Sequence, residues 1–186
     1  MNLTLLEAVN YALPYMGEAV VTSTDARNPT VALVLAAIKD HQQRLLAQGW
    51  WFNEFETTLY PDAEKVIATP TNLLSIYSTE GRTLESRNGK LYDLDKGTFL
   101  FDKAVKVNIK EWLAFEDLPY YAAALIRERA AIQVYVQDYG PEGTIKVLTQ
   151  NERELQNMLR QEHLRKKRYS TLRSSRAMRF MRGLRT

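Results

Sequence analysis

Residues 45–62 read LLAQGWWFNEFETTLYPD, and the fold turns on what happens at Gly49. Upstream, Val31, Val34, Ile38, His41 and Leu45 recur every three or four residues, the period of an amphipathic helix. Asn28-Pro29 opens that helix. An asparagine side chain accepts from the first free N–H groups, and proline at the first position gives up no hydrogen bond. Gly49 closes it, because glycine takes the left-handed conformation after a helix at little cost. Trp50, Trp51, Phe52 and Phe55 follow at once, with acids and threonines among and after them. Helical spacing gives way there to short aromatic and β-branched runs. The stretch marks the exit from a helical part into a sheet.

Working outward, residues 50–113 carry short strand-like runs separated by turn clusters. Asn88-Gly89 and Lys96-Gly97 read as tight hairpin turns. Val105, Val107 and Ile109 alternate with Lys106, Asn108 and Lys110, the pattern of a half-buried strand. The region predicts an antiparallel sheet of about four to six strands, beginning at the tryptophans. On a strand, Trp50 and Trp51 would point to opposite faces.

Helix returns after Glu116, with Asp117 as the expected N-cap and Pro119 in the first turn. Leu118, Ala122, Leu125, Ile132, Val136 and Tyr139 form its stripe, and Gly140-Pro141 ends it. A last helix from about Glu142 carries Ile145, Leu148, Leu155 and Leu159 on one face. At the other end of the chain, Thr4 and Glu7 have capping-box spacing. They open a short helix that Pro14 ends, and LPYMGEAV reads as a loop. Separate runs of helix, strand and helix imply an α+β fold. The expected architecture is an antiparallel bundle of about four helices interrupted by a small antiparallel β-sheet domain. In numbers, 1–49 and 114–164 form the helical part, 50–113 the inserted sheet and 165–186 a basic tail.

Composition narrows the chemistry. Hydrophobic residues make up 45% and charged residues 25%, the balance of a folded chain. Cysteine is absent, which excludes disulfides, thiolate nucleophiles and cysteine–zinc sites. No apolar run approaches the roughly 18 residues that span a bilayer, so no membrane anchor is expected. The start, MNLTLLEAVN, lacks the basic residues and cleavage site of a secretory signal, which points to synthesis in a cytoplasm. The phosphate-cradling glycine motifs and the G-x-S-x-G elbow are missing, and neither a cofactor nor a metal is expected. The net charge of +3 conceals a division: residues 160–186 hold ten Lys/Arg and one acid, residues 1–159 fifteen and twenty-one. A basic end on an acidic body seeks an acidic partner, a protein surface or nucleic acid.

Particular residues stand out against that background. Trp50, Trp51, Phe52 and Phe55 read as packing at the junction of helices and sheet, where large aromatics bury much area. His41 lies in the stripe of the second helix and reads as a packed core or interface residue. His163 reads as part of a solvated helix end. Arg129 falls where the stripe calls for an apolar residue, so an acid partner is expected, within the chain or across subunits. Carboxylate pairs occur at Glu54/Glu56, Asp93/Asp95 and Glu116/Asp117, and Glu54 and Glu56, which share a strand face, could in principle serve as acid and base. In the tail, Arg165, Lys166, Lys167 and Arg168 form a block, and Arg173, Arg176, Arg179, Arg182 and Arg185 recur every third residue. These nine, with His41 and Arg129, are the candidates for a subunit or partner interface.

The succession LPYMGEAV, a helix ending LLAQGWWFN, a sheet beginning ETTLYPD, and FEDLPYYAAALIRERAAIQVYVQDYG resembles the tail tubular protein A family. These are the head-to-tail adaptors, or gatekeepers, of short-tailed phages. The matching positions are Gly17-Glu18, Gly49-Trp50, Phe52-Asn53, Leu59–Asp62, Leu118-Pro119 and the helix through Arg129 to Gly140, spread over Leu5 to Leu159. The Arg-rich end departs from the family's pattern. The resemblance implies a structural virion protein, not an enzyme, at the head-to-tail interface of the tail. It implies a homo-oligomeric ring of about twelve copies, between the portal protein and the tail nozzle protein, with double-stranded DNA passing through the lumen during ejection. Two alternatives from the residues themselves are a DNA-binding module using the basic tail and a cell-wall glycan hydrolase using Glu54 and Glu56.

Overall fold

A computed structural model describes residues 2–25, 27–140 and 144–167. The N-terminal helix α1, Leu5–Ala12, begins with a complete capping box: Thr4 Oγ1 accepts from Glu7 N, and the Glu7 carboxylate accepts from Thr4 N. Leu13–Met16, read above as loop, is one 3-10 turn ending at Gly17 with φ 72°. Pro14 has no N–H to extend α1, yet its fixed φ suits a tighter turn. Helix α2, Pro29–Ala47, starts as expected, with Asn28 Oδ1 accepting from Thr30 N and Val31 N. It ends against Gly49, whose φ of 79° is the left-handed value.

Five strands follow: β1 Glu54–Leu59, β2 Leu73–Ser78, β3 Leu84–Arg87, β4 Lys90–Asp93 and β5 Val105–Glu111. They form an antiparallel sheet in the order β1-β5-β2 and a separate β3–β4 hairpin closed at Asn88-Gly89. The register sets Phe55 opposite Ile109, Thr57 opposite Val107 and Leu59 opposite Val105. Alternation then gives β5 one buried face of Val105, Val107 and Ile109 and one polar face of Lys106, Asn108 and Lys110.

After a 3-10 turn at Phe115–Asp117 come α3, Tyr120–Tyr139, and α4, Thr144–Lys166. Asp117 does not cap α3. Leu118 is extended, at φ −73° and ψ 144°, as the residue before a proline tends to be, so the helix starts only beyond Pro119. Helix α3 is central. It packs on α1, α2 and α4, and Ala122–Ile126 are all buried. The run of small alanines lets its neighbours approach from several sides.

The fold is α+β, with four α-helices and two small antiparallel sheets among the described residues. The buried apolar residues described gather in two clusters. One joins α1, α2 and α3 with Trp50, Phe115, Leu118 and Leu159. The other is built from Ile67, Ile76, Leu84, Leu91, Phe101 and the inner face of β5. Among the described residues no helix is long and apolar enough to cross a membrane.

Candidate functional site

The segment between α2 and β1 is a turn, not the start of a strand. Asn53 N and Glu54 N both donate to Trp50 O, at 3.1 and 2.9 Å, which closes the chain on itself. Trp50 and Trp51 therefore do not alternate across a sheet, as the strand reading required. Both rings instead meet His163 of α4, with centroids 5.2 and 6.0 Å away. Phe52 stacks parallel to Trp50 and packs edge-on against Trp51. Phe55 lies on β1, away from this cluster, and is largely exposed.

Two polar side chains hold the turn. Trp50 Nε1 donates to Leu45 O at 2.8 Å, tying the indole to the last turn of α2. Asn53 is fully buried. Its Oδ1 accepts from Trp50 N at 2.8 Å, and its Nδ2 donates to Leu46 O and Glu111 O at 2.9 and 3.0 Å. One amide thus joins the end of α2, the turn and the end of β5. Lys110 adds a further tie from β5, donating from Nζ to Ala47 O at 2.9 Å. Gln42 Nε2 donates to Leu113 O at 2.7 Å, which anchors the chain leaving the sheet.

The end of α4 closes the junction from outside. His163 Nδ1 accepts from Trp51 N at 3.3 Å, and Lys167 Nζ lies 2.8 Å from Glu54 Oε2. His163 is thus an organising residue here, not part of a solvated helix end. Two pulls determine its titration. Burial lowers its pKa below the usual 6.5, as does the Lys167 ammonium, while Glu54 raises it. His41 is lowered as well, chiefly by burial, with Arg129 and Arg44 acting in the same direction and Asp40 against it. Each imidazole is therefore more readily protonated in the unfolded chain. As pH falls below about 6.5 the unfolded state gains protons first, so stability must decline toward acid. The melting temperature is expected to drop between about pH 7.5 and 5.5, and His41→Asn with His163→Asn should flatten the slope. An unchanged slope in the double variant would assign the effect to carboxylates.

The other candidates are dispersed. Arg129 pairs within the chain: Nε and Nη2 both lie 2.8 Å from Glu152 Oε1 of α4. Beside it, His41, Arg44, Gln133 and Thr149 line an open groove between α2, α3 and α4. Glu54, held by Lys167 and accepting from Asn108 Nδ2 at 3.3 Å, is engaged in the junction; Glu56 is exposed. Arg165 and Lys166 are exposed at the end of α4, while Arg168, Arg173, Arg176, Arg179, Arg182 and Arg185 lie outside the described residues. Among the described residues no three of His, Asp and Glu converge as metal ligands do.

A buried acid in α3 escaped the sequence reading. Glu128, only 1% exposed, accepts from Tyr11 OH at 2.7 Å, and the Arg127 guanidinium lies 3.9 Å from the Tyr11 ring centroid. Burial and the Glu128 charge push the Tyr11 hydroxyl far above its usual range, so it stays a donor. The group fixes α1 on α3.

Comparison with known proteins identifies relatives of the chain. The family described as tail tubular protein matches residues 6–169. Tail tubular protein A of Klebsiella phage KP34 is 34% identical over 179 residues, covering 96% of this chain and 96% of that protein. With a match that takes in both clusters and the junction between them, the chain belongs to the tail tubular protein family, as a structural component of the phage tail.

Proposed function

We propose that the protein is the head-to-tail adaptor of its virion, a ring of about twelve copies between the portal and the tail nozzle. The observation that carries this reading is the likeness to a tail tubular protein A across almost the full length of both chains. The helical part, 1–49 with 114–164, supplies the subunit contacts and the portal side. The inserted sheet, 50–113, faces the nozzle, and genomic DNA passes through the lumen on ejection. His41 and Arg129 lie on a groove between helices that is open to a neighbouring copy. The basic residues from Arg165 onward anchor on an acidic surface of the portal, since arginine pairs bidentately with carboxylates.

A ring needs a heterologous interface whose rotation closes, and a portal ring can template that rotation. Mass photometry of the purified protein, alone and mixed with its portal, tests the reading. A small species that becomes a portal-bound ring is the expected result. A protein that ignores the portal at every concentration would overturn it.

A further inference from the structure

Glu128 of α3 is a buried acid with only one of its oxygens engaged. It is 1% exposed, and its Oε2 accepts from Tyr11 OH at 2.7 Å. Tyr15 OH donates in turn to Tyr11 OH at 3.3 Å, so both hydroxyls are directed toward the carboxylate. Its Oε1 is buried with no hydrogen-bond partner among the described residues. None of the ion pairs formed among the described residues includes it. Arg127 precedes it in the helix, but successive residues of a helix do not face each other. The Arg127 guanidinium lies instead over Tyr11, 3.9 Å from the ring centroid. A buried carboxylate without a paired cation is among the costliest groups a fold can hold. The open oxygen therefore calls for a donor, and a charged donor serves it best.

Glu128 is also a wall of a cavity of about 200 Å³ between α1, α3 and α4. A single water requires only roughly 10–15 Å³, so the end of a side chain fits. The last torsion of a glutamate is broad, which lets the carboxylate present Oε1 to a group in the cavity while Oε2 stays with Tyr11. Helix α4 forms the opposite wall. Its Leu155 and Met158 give an apolar flank, and Asn151 and Glu154 add an amide and a second carboxylate. Glu154 and Met158 are exposed, which sets the mouth at the surface. The ionic groups of the wall are two carboxylates and one guanidinium, and that guanidinium is turned to Tyr11.

A cation at the end of a slender apolar stem matches such a wall, with the stem along Leu155 and Met158. Arginine suits it better than lysine. It brings five N–H donors to two carboxylates and an amide oxygen, and it gives up its hydration more readily.

We infer that this cavity receives the guanidinium of one arginine from a second copy of the chain, with Glu128 Oε1 as its innermost acceptor. The cavity lies in the helical part, to which the adaptor reading assigns the subunit contacts. The choice of a second copy rests on that reading; the preference for a cation does not. A heterologous contact sets different surfaces of two copies against each other. Each copy then offers its cavity on one side and fills a neighbour's from another.

Two measurements test it. In the first, full-length protein with isotope-labelled methionine methyls is titrated with n-butylguanidinium and followed by NMR, the Met158 signal being identified from Met158→Leu. A saturable shift of Met158 is expected. Affinity should fall roughly tenfold or more in Glu128→Gln and several-fold in Glu154→Gln, and stay unchanged in Glu85→Gln at an exposed position of β3. Glutamine keeps the shape of Glu128 and an acceptor for Tyr11; were that variant to fold poorly, the exposed Glu154 carries the comparison. No saturable shift, an equal one with n-butanol, or parent affinity in Glu154→Gln would each overturn the site, leaving a cavity that holds water only.

The second measurement is mass photometry of the parent, Glu128→Gln and Glu154→Gln on the portal. Fewer complete rings at equal concentration are expected from both variants. Rings at the parent's yield from both would overturn the second copy as the occupant. A parent that forms no ring would remove the adaptor reading and the second copy with it, while the titration still decides whether the cavity takes a cation.

Discussion

Trp50→Ala is expected to lower the stability of the folded chain by about 3–5 kcal/mol, the range for truncating a buried large aromatic. Trp50 is 7% exposed and belongs to the helical cluster. Its ring stacks parallel to Phe52 with centroids 6.5 Å apart, and it meets His163 edge-on. Alanine would leave a cavity bounded by α2, the junction turn and α4, and would remove the donor that reaches Leu45 O. These walls belong to separate elements whose caps and hydrogen bonds hold them in place, so they can collapse only in part. Trp51→Ala, at a half-buried ring, should cost clearly less. Urea denaturation followed by far-ultraviolet circular dichroism measures both. A loss below about 1 kcal/mol for Trp50→Ala would mean that the indole contributes little to the core.

Asn53→Ala is the second large effect, about 2–4 kcal/mol, and it has a different cause. Little apolar packing is lost. What remains is a buried Trp50 N–H without an acceptor and a Glu111 carbonyl without its side-chain donor. The Leu46 carbonyl is less affected, because Gly49 N also donates to it. Asn53→Asp separates the roles of the two ends of the amide. It keeps the acceptor for Trp50 N but sets a carboxylate against two carbonyl oxygens. That variant should be at least as unstable at neutral pH and recover on acidification, as its carboxyl gains a proton and becomes a donor. A neutral Asn53→Ala, within about 0.5 kcal/mol of the parent, would show that water replaces the amide without loss.

The junction these two residues hold was only partly legible. The sequence located it, since Gly49 ends one periodicity and β-like runs follow. It did not reveal that the aromatics sit in a turn, because aromatic residues favour strands and nothing local distinguishes a turn held by a buried amide. Asn53 could have been singled out on one signal, a polar residue inside an aromatic run. His163 carried no such mark. Its partner Trp51 is 112 residues away. Arg129 drew attention by interrupting the α3 stripe, and it does have an acid partner, Glu152. Glu128, the buried acid of the same helix, was missed because its environment is set by Tyr11 of α1, 117 residues earlier.

By itself the sequence determined the local structure and the fold class. The Thr4–Glu7 capping box, the Asn28-Pro29 start, the Gly49 stop and the alternation along β5 each rest on groups within a few residues of one another. Short-range hydrogen bonds and side-chain periodicity are enough to specify such features. It also showed the division of charge between an acidic body and a basic end. The tertiary structure alone decided which elements meet: that α4 returns to seal the exit from α2, that Glu54 is held by Lys167, and that β5 lies between β1 and β2. Those outcomes depend on burying apolar faces contributed by distant segments, and burial is non-directional. The pairings are then selected by buried polar groups such as Asn53, Gln42 and Glu128. Each must find a partner wherever packing has placed it.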